Sequence, residues 1–184
     1  MGNHFVFFDL HTEGIPYYFE GQVLLSHIHC KPIVTKVAQA LAAEGFVMAC
    51  TDAGRAKWVE SLANEIGVNA AFVFKRRVSG QETEVTSISA DVENRDVVIY
   101  DDMIRTGGSL INAAKAYKQA GANKIFTITT HGIFSNGALE KIQQSGVIEK
   151  VITTNSYPQS EIGNPFLQVE SIAPLIINHL NSQS

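Results

Sequence analysis

Short apolar runs alternate along this chain with longer stretches in which apolar residues recur three and four positions apart. The short runs predict β-strands, and the longer stretches predict helices with one apolar face. We predict strands at residues 5–10, 46–51, 70–74, 97–100, 125–130, 151–154 and 166–169. We predict helices at residues 32–44, 55–66, 109–120, 138–144 and 171–180. This order favours an α/β fold, with a mostly parallel sheet flanked by helices on both faces.

Length, charge and cysteine content narrow the class of protein. The 184 residues suit one domain with a substantial core, so we expect a single domain over residues 1–184. The net charge of −4 gives no indication of a nucleic-acid surface. No apolar run is long enough to span a membrane, and the N-terminus does not resemble a signal peptide, so we expect no membrane attachment. The two cysteines, Cys30 and Cys50, give no disulfide framework and favour a reducing, cytoplasmic location.

The segment of residues 97–109 carries the strongest functional signal. Its apolar strand ends in Asp101 and Asp102, and a short loop with two glycines precedes the next helix. Amides in such a loop and helix start suit a phosphate, and glycines allow close approach. The carboxylates could accept hydrogen bonds from sugar hydroxyls or hold a divalent cation. The same residue types also suit a helix cap and turn without a ligand, so both interpretations stay open here.

Other polar residues follow the predicted strands, at the edge where ligands of parallel sheets bind. They are Asp9, His11, Asp52, Thr130 and His131, together with a basic group at residues 75–77. The polar segment of residues 76–86 is either a solvated hairpin tip or a basic lid. In a lid, Lys75 and Arg77 would bring positive charge to a phosphate in transfer.

Several residues carry weaker signals. His27 and His29 would share one face of a strand, but no clear third ligand is visible, so we do not predict a metal site there. Trp58 lies in a helical pattern, and we assign it to the core or an interface rather than to base stacking. For His131, a structural role at a strand end and a contact with a ligand both stay open.

Six segments, in order along the chain, resemble the ribose-phosphate pyrophosphokinase family. They lie at residues 8–11, 51–54, 75–77, 101–109, 130–135 and 154–158. The chain is similar to the C-terminal half of those enzymes, which have two similar domains of the type I phosphoribosyltransferase fold. Ordinary phosphoribosyltransferases share the Asp-Asp loop but not the last two segments. The resemblance therefore implies this fold and this ancestry.

The resemblance also implies a role for each matched residue. The ribose hydroxyls would be held by Asp101 and Asp102. The 5-phosphate would be bound by Thr106, Gly107, Gly108 and Ser109. The pyrophosphate or nucleotide side would be bound by Asp52, Ala53 and Gly54. Mg²⁺ would be positioned by His11 and Asp52. Charge on the transferred group would be stabilised by the catalytic residues Lys75 and Arg77.

The implied activity is transfer of a pyrophosphoryl group from ATP to ribose 5-phosphate with magnesium, which makes phosphoribosyl pyrophosphate. Two alternatives stay open. One is a phosphoribosyltransferase that uses phosphoribosyl pyrophosphate, and the other is a non-catalytic homologue that binds ribose phosphate or regulates an enzyme. As partners we expect further copies of the chain or a complete homologue.

Three features depart from the family pattern. The family's first domain has no counterpart in these residues. Arg55 stands where the family usually has a second glycine, and Arg105 stands where it usually has aspartate. A cation in place of an anion at residue 105 reverses the local field, and at about 5 Å each unit-charge interaction is worth roughly 3 kcal/mol. These departures favour the non-catalytic alternative.

Overall fold

The computed structural model describes residues 4–12, 14–19, 21, 23–77, 83–159 and 163–182, with only the backbone described at residues 75–77 and 83–87. Its strands are β1 (His4–Phe8), β2 (Leu24–Ile28), β3 (Val47–Cys50), β4 (Asn69–Ala71), β5 (Val73–Arg77), β6 (Thr83–Ile88), β7 (Val97–Ile104), β8 (Ile125–Gly132), β9 (Lys150–Thr154) and β10 (Leu167–Glu170). Its helices are α1 (Lys31–Leu41), α2 (Ala56–Ile66), α3 (Gly108–Gln119), α4 (Ala138–Gln144) and α5 (Ala173–Asn181). Short 3₁₀ turns span Ile15–Phe19 and Ala53–Arg55.

The main sheet has six parallel strands in the order β10-β9-β8-β7-β3-β4. Along β7, Val97 and Ile99 join an apolar core that includes residues of α3 and α4. Val98 and Tyr100 join a second core that includes residues of α1 and α2. Helices therefore cover both faces of a parallel sheet, which confirms the predicted fold class.

The central strand β7 is longer than the sequence predicts. The predicted strand ends at Tyr100, where the apolar run stops. Pairing with β8 instead continues as far as the Ile104–Gly132 pair. Asp101 and Asp102 thus lie inside the strand rather than beyond its end. Because successive strand side chains point to opposite faces, the Asp101 side chain lies on the face of the sheet that packs against α3, and the Asp102 side chain lies on the face that packs against α1 and α2.

The first predicted strand does not join the main sheet. It forms β1 and pairs in parallel with β2 in a separate two-stranded sheet, in which Phe8 lies opposite Ile28. The sequence prediction missed β2, since Ser26 and His27 interrupt its apolar run. The small sheet brings the residues after β1 next to those after β2.

The predicted strand at residues 70–74 is divided in the structure. Its first part is β4, which pairs with β3, and its second part is β5, which pairs antiparallel with β6. The division falls at Phe72, whose N–H donates to Ser89 Oγ at 2.9 Å and whose carbonyl accepts from the Ser89 N–H at 3.0 Å. Main-sheet pairing therefore stops there. The predicted helices are all present, with bounds that shift by a few residues at most.

Three smaller sequence predictions concern single residues and the membrane. Cys30 and Cys50 are both buried and are not joined by a disulfide. Trp58 stacks on Tyr100 with ring centroids 4.1 Å apart, against the α1–α2 core, which confirms a packing role. Within the described ranges, no helix combines the length and the apolar character that crossing a membrane requires.

Candidate functional site

A cavity of about 350 Å³ opens at the carboxyl edge of the main sheet, where β3 and β7 end. Its size lies in the range of small-molecule sites. Residues 106–109 line it together with Asp101, Asp52, Thr51, His11 and Arg105. The fold therefore brings most of the sequence-predicted site residues to one place.

The loop between β7 and α3 forms a cradle of backbone amides. Gly107 precedes the helix with a φ of 77°, a conformation that favours glycine. A Cβ on Gly107 would lie 2.9 Å from Ile142 Cγ1, so packing against α4 also requires glycine. No side chain caps α3, and the first amides of a helix have no partner within it. A Cβ on Gly108 would meet nothing within 4 Å, so the cradle is open towards the cavity, with the exposed residues Thr106 and Ser109 beside it.

Asp101 is one of two acidic residues, with Asp52, that share this cavity with the cradle. The Thr51 hydroxyl donates to Asp101 Oδ2 at 3.0 Å. The pKa of Asp101 is raised from 3.8 to about 7, mainly by burial and then by hydrogen bonding with Asp102 and by the negative charges of Asp102 and Asp52, whereas the Thr51 hydrogen bond opposes the shift. Near neutral pH, Asp101 is therefore partly ionised and partly protonated. Its ionised form can accept hydrogen bonds from two hydroxyls.

Asp102 has different surroundings, although it is the next residue. It is buried, with 1% of its side chain exposed, and its Oδ2 lies 2.5 Å from Arg55 Nη2 and 2.8 Å from His11 Nδ1. Arg55 also approaches His11, donating to its carbonyl oxygen at 3.3 Å. The Oδ1 atom of Asp102 has no hydrogen-bond partner among the described residues. An internal cation therefore neutralises the second carboxylate of the Asp-Asp pair.

The turn after β3 lies beside this ion pair. Asp52 accepts a hydrogen bond from the Gly54 N–H at 2.8 Å and so begins the 3₁₀ turn that carries Ala53. A second cavity of about 320 Å³ is lined by Asp52, Gly54 and the two carboxylates of β7, with His11 and Arg55. The predicted pyrophosphate-side loop thus adjoins the predicted ribose-phosphate loop.

Some of the residues around the second cavity could be ligands of a divalent cation, but another is an arginine. Carboxylate oxygens are the ligands that Mg²⁺ prefers, and Asp52 and Asp101 offer them to one space. The unpartnered Oδ1 of buried Asp102 is a further acceptor. The Arg55 guanidinium, however, already places positive charge on the Asp102 side, within 3.4 Å of His11 Nδ1. The residues present can hold a cation at Asp52 and Asp101, but the position between His11 and Asp102 carries an arginine.

The two predicted catalytic cations lie on the β5–β6 hairpin. The backbone of Lys75 pairs with that of Val85, and the backbone of Arg77 pairs with that of Thr83. Their side chains and residues 78–82 lie outside the described residues, so their role stays a prediction. The described backbone pairs β5 antiparallel with β6, which leaves the hairpin-tip and basic-lid interpretations of this segment both open.

Sequence reasoning missed some residues of the site and left others open. Thr51 was not singled out, although it directly precedes Asp52 and follows Cys50, whose pairing with Tyr100 brings it beside Asp101. Arg55 was noted as a departure from a pattern, but its contact with Asp102 could not be foreseen. The ring nitrogens of His131 lie 2.8 Å from Ser156 Oγ and 3.1 Å from the Phe8 carbonyl oxygen, which favours a structural role.

Comparisons with known proteins identify the family of the chain. A family model described as "Phosphoribosyl synthetase-associated domain" matches residues 53–178, more than half of the chain. The ribose-phosphate pyrophosphokinase of Corynebacterium glutamicum is 39% identical over 177 residues, which cover 94% of this chain and 54% of that protein. The same enzyme of Aquifex aeolicus is 34% identical over 175 residues, 95% of this chain and 55% of that protein. The chain spans about half the length of the curated relatives it matches.

Solved structures show the same relationship. The phosphoribosylpyrophosphate synthetase of Mycobacterium smegmatis superposes with a TM-score of 0.85 at 30% identity, over 98% of this chain and 58% of that one. An adenine phosphoribosyltransferase of Giardia lamblia superposes with a TM-score of 0.53 at 17% identity, which supports the phosphoribosyltransferase-like fold alone. Sequence family, relatives and fold agree, and the chain belongs to the phosphoribosyl synthetase-associated domain family, as its resemblance to ribose-phosphate pyrophosphokinases implied.

Proposed function

We propose that this chain provides the ribose 5-phosphate site of a ribose-phosphate pyrophosphokinase. The observation that carries the proposal is the pairing of an uncapped amide cradle with Asp101 in one cavity at the carboxyl edge of the sheet. A helix N-terminus attracts a phosphate through its free N–H groups and its dipole. A carboxylate that lines the same cavity suits neighbouring hydroxyls of a sugar. The two together match a phosphorylated pentose at both ends.

In this proposal the 5-phosphate binds the amides and hydroxyls of residues 106–109. Asp101, oriented by the Thr51 hydroxyl, accepts hydrogen bonds from the ribose hydroxyls. Charge-assisted hydrogen bonds are about twice as strong as neutral ones, so the ionised form of Asp101 binds the sugar better. Asp102 contributes indirectly, because its negative charge and its hydrogen bond help to set the pKa of Asp101.

The transfer step would use residues around the second cavity. The anomeric hydroxyl of ribose 5-phosphate would lose its proton to solvent and attack the β-phosphorus of ATP, the bond from that phosphorus to the bridging α-phosphate oxygen would break, and AMP would leave with that oxygen. The turn of residues 52–54 would bind the phosphates, and Lys75 and Arg77 would neutralise the transferred group. Mg²⁺ held by Asp52, Asp101 and His11 would supply further positive charge to the phosphate oxygens.

One observation favours a second candidate function, a non-catalytic homologue that binds ribose phosphate. The Arg55 guanidinium is paired with Asp102 and touches His11, where a metal could otherwise lie. Such a chain would keep the sugar phosphate site and associate with a complete enzyme. We propose further copies of this chain or a complete homologue as its partners, and the cytoplasm as its location.

Two measurements on the purified chain test the proposal. Isothermal titration with ribose 5-phosphate measures the site, and release of AMP from ATP in the presence of ribose 5-phosphate and Mg²⁺ measures the reaction. We expect saturable binding that weakens at least about tenfold in Asp101→Asn, since one good hydrogen bond to a charged group is worth 1.5–3 kcal/mol. Lys118→Ala on the outer part of α3 is the matched control.

The outcomes separate the candidate functions. AMP release by the chain supports the pyrophosphokinase. Binding of ribose 5-phosphate without AMP release supports the non-catalytic homologue. Consumption of phosphoribosyl pyrophosphate with a nucleobase, without AMP release, would support a phosphoribosyltransferase. Absence of ribose 5-phosphate binding at millimolar concentration would contradict both the pyrophosphokinase and the non-catalytic ribose phosphate-binding homologue.

A further inference from the structure

Parallel pairing in the small sheet places Asp9 beside His29. Phe8 lies opposite Ile28, and the Asp9 N–H donates to the Ile28 carbonyl oxygen at 3.2 Å, so the residues after the two strands continue the same register. His29 Nδ1 lies 3.2 Å from Asp9 Oδ1. The third ligand that the sequence did not reveal therefore comes from the neighbouring strand.

Asp9 is held firmly in this position. It adopts a φ of 34°, which is uncommon for a residue with a Cβ, and its side chain is 3% exposed. Its carboxylate accepts hydrogen bonds from the Cys30 N–H, from the Tyr100 hydroxyl at 3.3 Å and from the Thr130 hydroxyl at 2.6 Å. A strained residue persists only where its contacts determine its conformation, so the carboxylate is fixed before any ligand arrives.

The two histidines face this fixed carboxylate from the solvent side. Both are exposed, and their ring centroids lie 4.1 Å apart. One ligand atom from each of Asp9, His27 and His29 lies within 4.8 Å of the other two. In the described part of the chain, no other group of three such residues meets this criterion. His27 Nε2 accepts from the Leu10 N–H at 3.1 Å, an exposed bond that water can replace.

The distance between His29 and Asp9 matches one edge of a tetrahedral site. Two atoms that each lie about 2.0–2.1 Å from a tetrahedral zinc ion are about 3.3 Å apart, close to the separation of His29 Nδ1 and Asp9 Oδ1. The ion would take the place of the proton between these two atoms. His27, being exposed, can rotate to bring its nitrogen to the ion, which leaves a fourth position for water.

We propose that Asp9, His27 and His29 form a binding site for one zinc-like divalent ion. Two imidazoles and one carboxylate suit zinc or cobalt, whereas magnesium prefers oxygen ligands only. The site uses none of the residues assigned to magnesium in the proposed reaction, and it does not depend on that reaction. Its consequence is structural, because Asp9 also binds Tyr100 on β7 and Thr130 on β8, so that the ion would fasten the small sheet to the main sheet.

The test is equilibrium titration of the purified chain with Zn²⁺, and with Co²⁺ to read coordination from visible absorption. We expect one Zn²⁺ per chain and at least about tenfold weaker binding in His27→Ala and in His29→Ala, since even losing an outer-shell partner costs that much. His179→Ala, on α5, is the matched control and should bind as the wild type does. Both histidines are exposed, so neither variant should fail to fold, and far-ultraviolet circular dichroism checks this.

Thermal unfolding gives a second measurement. Zn²⁺ should raise the Tm of the wild type and of His179→Ala, because an ion that binds only the folded state stabilises it. It should have a smaller effect on His27→Ala and His29→Ala. Unchanged Zn²⁺ affinity in these two variants, or loss of binding in His11→Ala instead, would overturn the proposal. Ribose 5-phosphate binding measured on the same variants remains independent of either result.

Discussion

The adjacent carboxylates of Asp101 and Asp102 lie on opposite faces of β7 and have different surroundings. On the α3 face, Asp101 opens into a cavity that it shares with the uncapped start of a helix. On the α1–α2 face, Asp102 is buried against Arg55 and His11. We call the Asp101 side, which faces the cavity, the open side, and the Asp102 side, where Arg55 already neutralises the carboxylate, the closed side. The proposed sugar phosphate site and the Arg55–Asp102 ion pair therefore lie on different faces of β7, although both carboxylates also line the second cavity.

The largest expected effect tests the closed side. Arg55→Ala should lower the free energy of unfolding by about 3 kcal/mol, because it leaves Asp102 buried with one cation fewer. Added Mg²⁺ should restore part of this loss in the variant more than it stabilises the wild type. Urea denaturation with and without Mg²⁺ measures both effects.

A surface ion pair provides the control for that experiment. Lys31 pairs with Glu65 at 2.8 Å, and both side chains are more exposed than Asp102. Lys31→Ala should therefore lose less than about 1 kcal/mol. Equal losses in the two variants would contradict the special role of the Arg55–Asp102 pair.

The next effect tests the open side. Gly107→Ala should weaken ribose 5-phosphate binding about a hundredfold, or roughly 2.7 kcal/mol. The added Cβ would meet Ile142 and strain a residue with positive φ, which displaces the amides of the cradle. Gly67→Ala is the matched control, since Gly67 has a φ of 83° and a Cβ there meets nothing within 4 Å. Isothermal titration should show weaker binding only in Gly107→Ala.

A smaller effect should appear as pH dependence. The folded-state pKa of Asp101 is raised from 3.8 to about 7, so the folded protein binds more protons than the unfolded chain between these values. The contribution of Asp101 to the free energy of unfolding is therefore present below its unfolded pKa and is lost as pH rises through about 7. Asp101→Asn should lose this part of the pH dependence.

Ligand binding should respond to the same titration in the opposite direction. Ionised Asp101 is the better acceptor for ribose hydroxyls, so affinity for ribose 5-phosphate should rise as pH passes through about 7. The phosphate of the ligand also ionises below neutral pH, and Asp101→Asn, which keeps only that contribution, is the reference. Identical pH profiles of wild type and variant would show that Asp101 does not contact the sugar.

The smallest expected effect concerns the rim of the cavity. Arg105 is exposed and lines the cavity beside the cradle. Arg105→Asp should weaken ribose 5-phosphate binding about fivefold at low salt and less at high salt, since exposed charges contribute up to about 1 kcal/mol and are screened. Lys124→Asp makes the same change of charge before β8, at the opposite edge of the sheet, and should leave the affinity unchanged.

Local patterns predicted the open side better than the closed side. The cradle follows from one continuous stretch, in which a strand, two glycines and a helix succeed each other. The opposite orientations of Asp101 and Asp102 follow from strand alternation, once the strand is known to continue to Ile104. The apolar run stops before the two aspartates, so the sequence suggested that the strand ends there. In the structure, pairing with β8 overrides the low strand preference of aspartate.

Contacts between distant segments escaped prediction for a physical reason. The Arg55–Asp102 pair depends on how the turn after β3 lies against β7, and no periodicity encodes that distance. Likewise, the cluster of Asp9, His27 and His29 needs the parallel pairing of β1 with β2, which the polar interruption of β2 concealed. Both clusters are built by tertiary register rather than by spacing along the chain.

The most direct test of the central claim is a crystal structure of the chain grown with ribose 5-phosphate. The account predicts the phosphate at the backbone amides of residues 107–109, with the ribose hydroxyls within hydrogen-bond distance of Asp101 and the Arg55–Asp102 pair intact. A sugar phosphate bound elsewhere, or a cavity without ligand at saturating concentration, would contradict it.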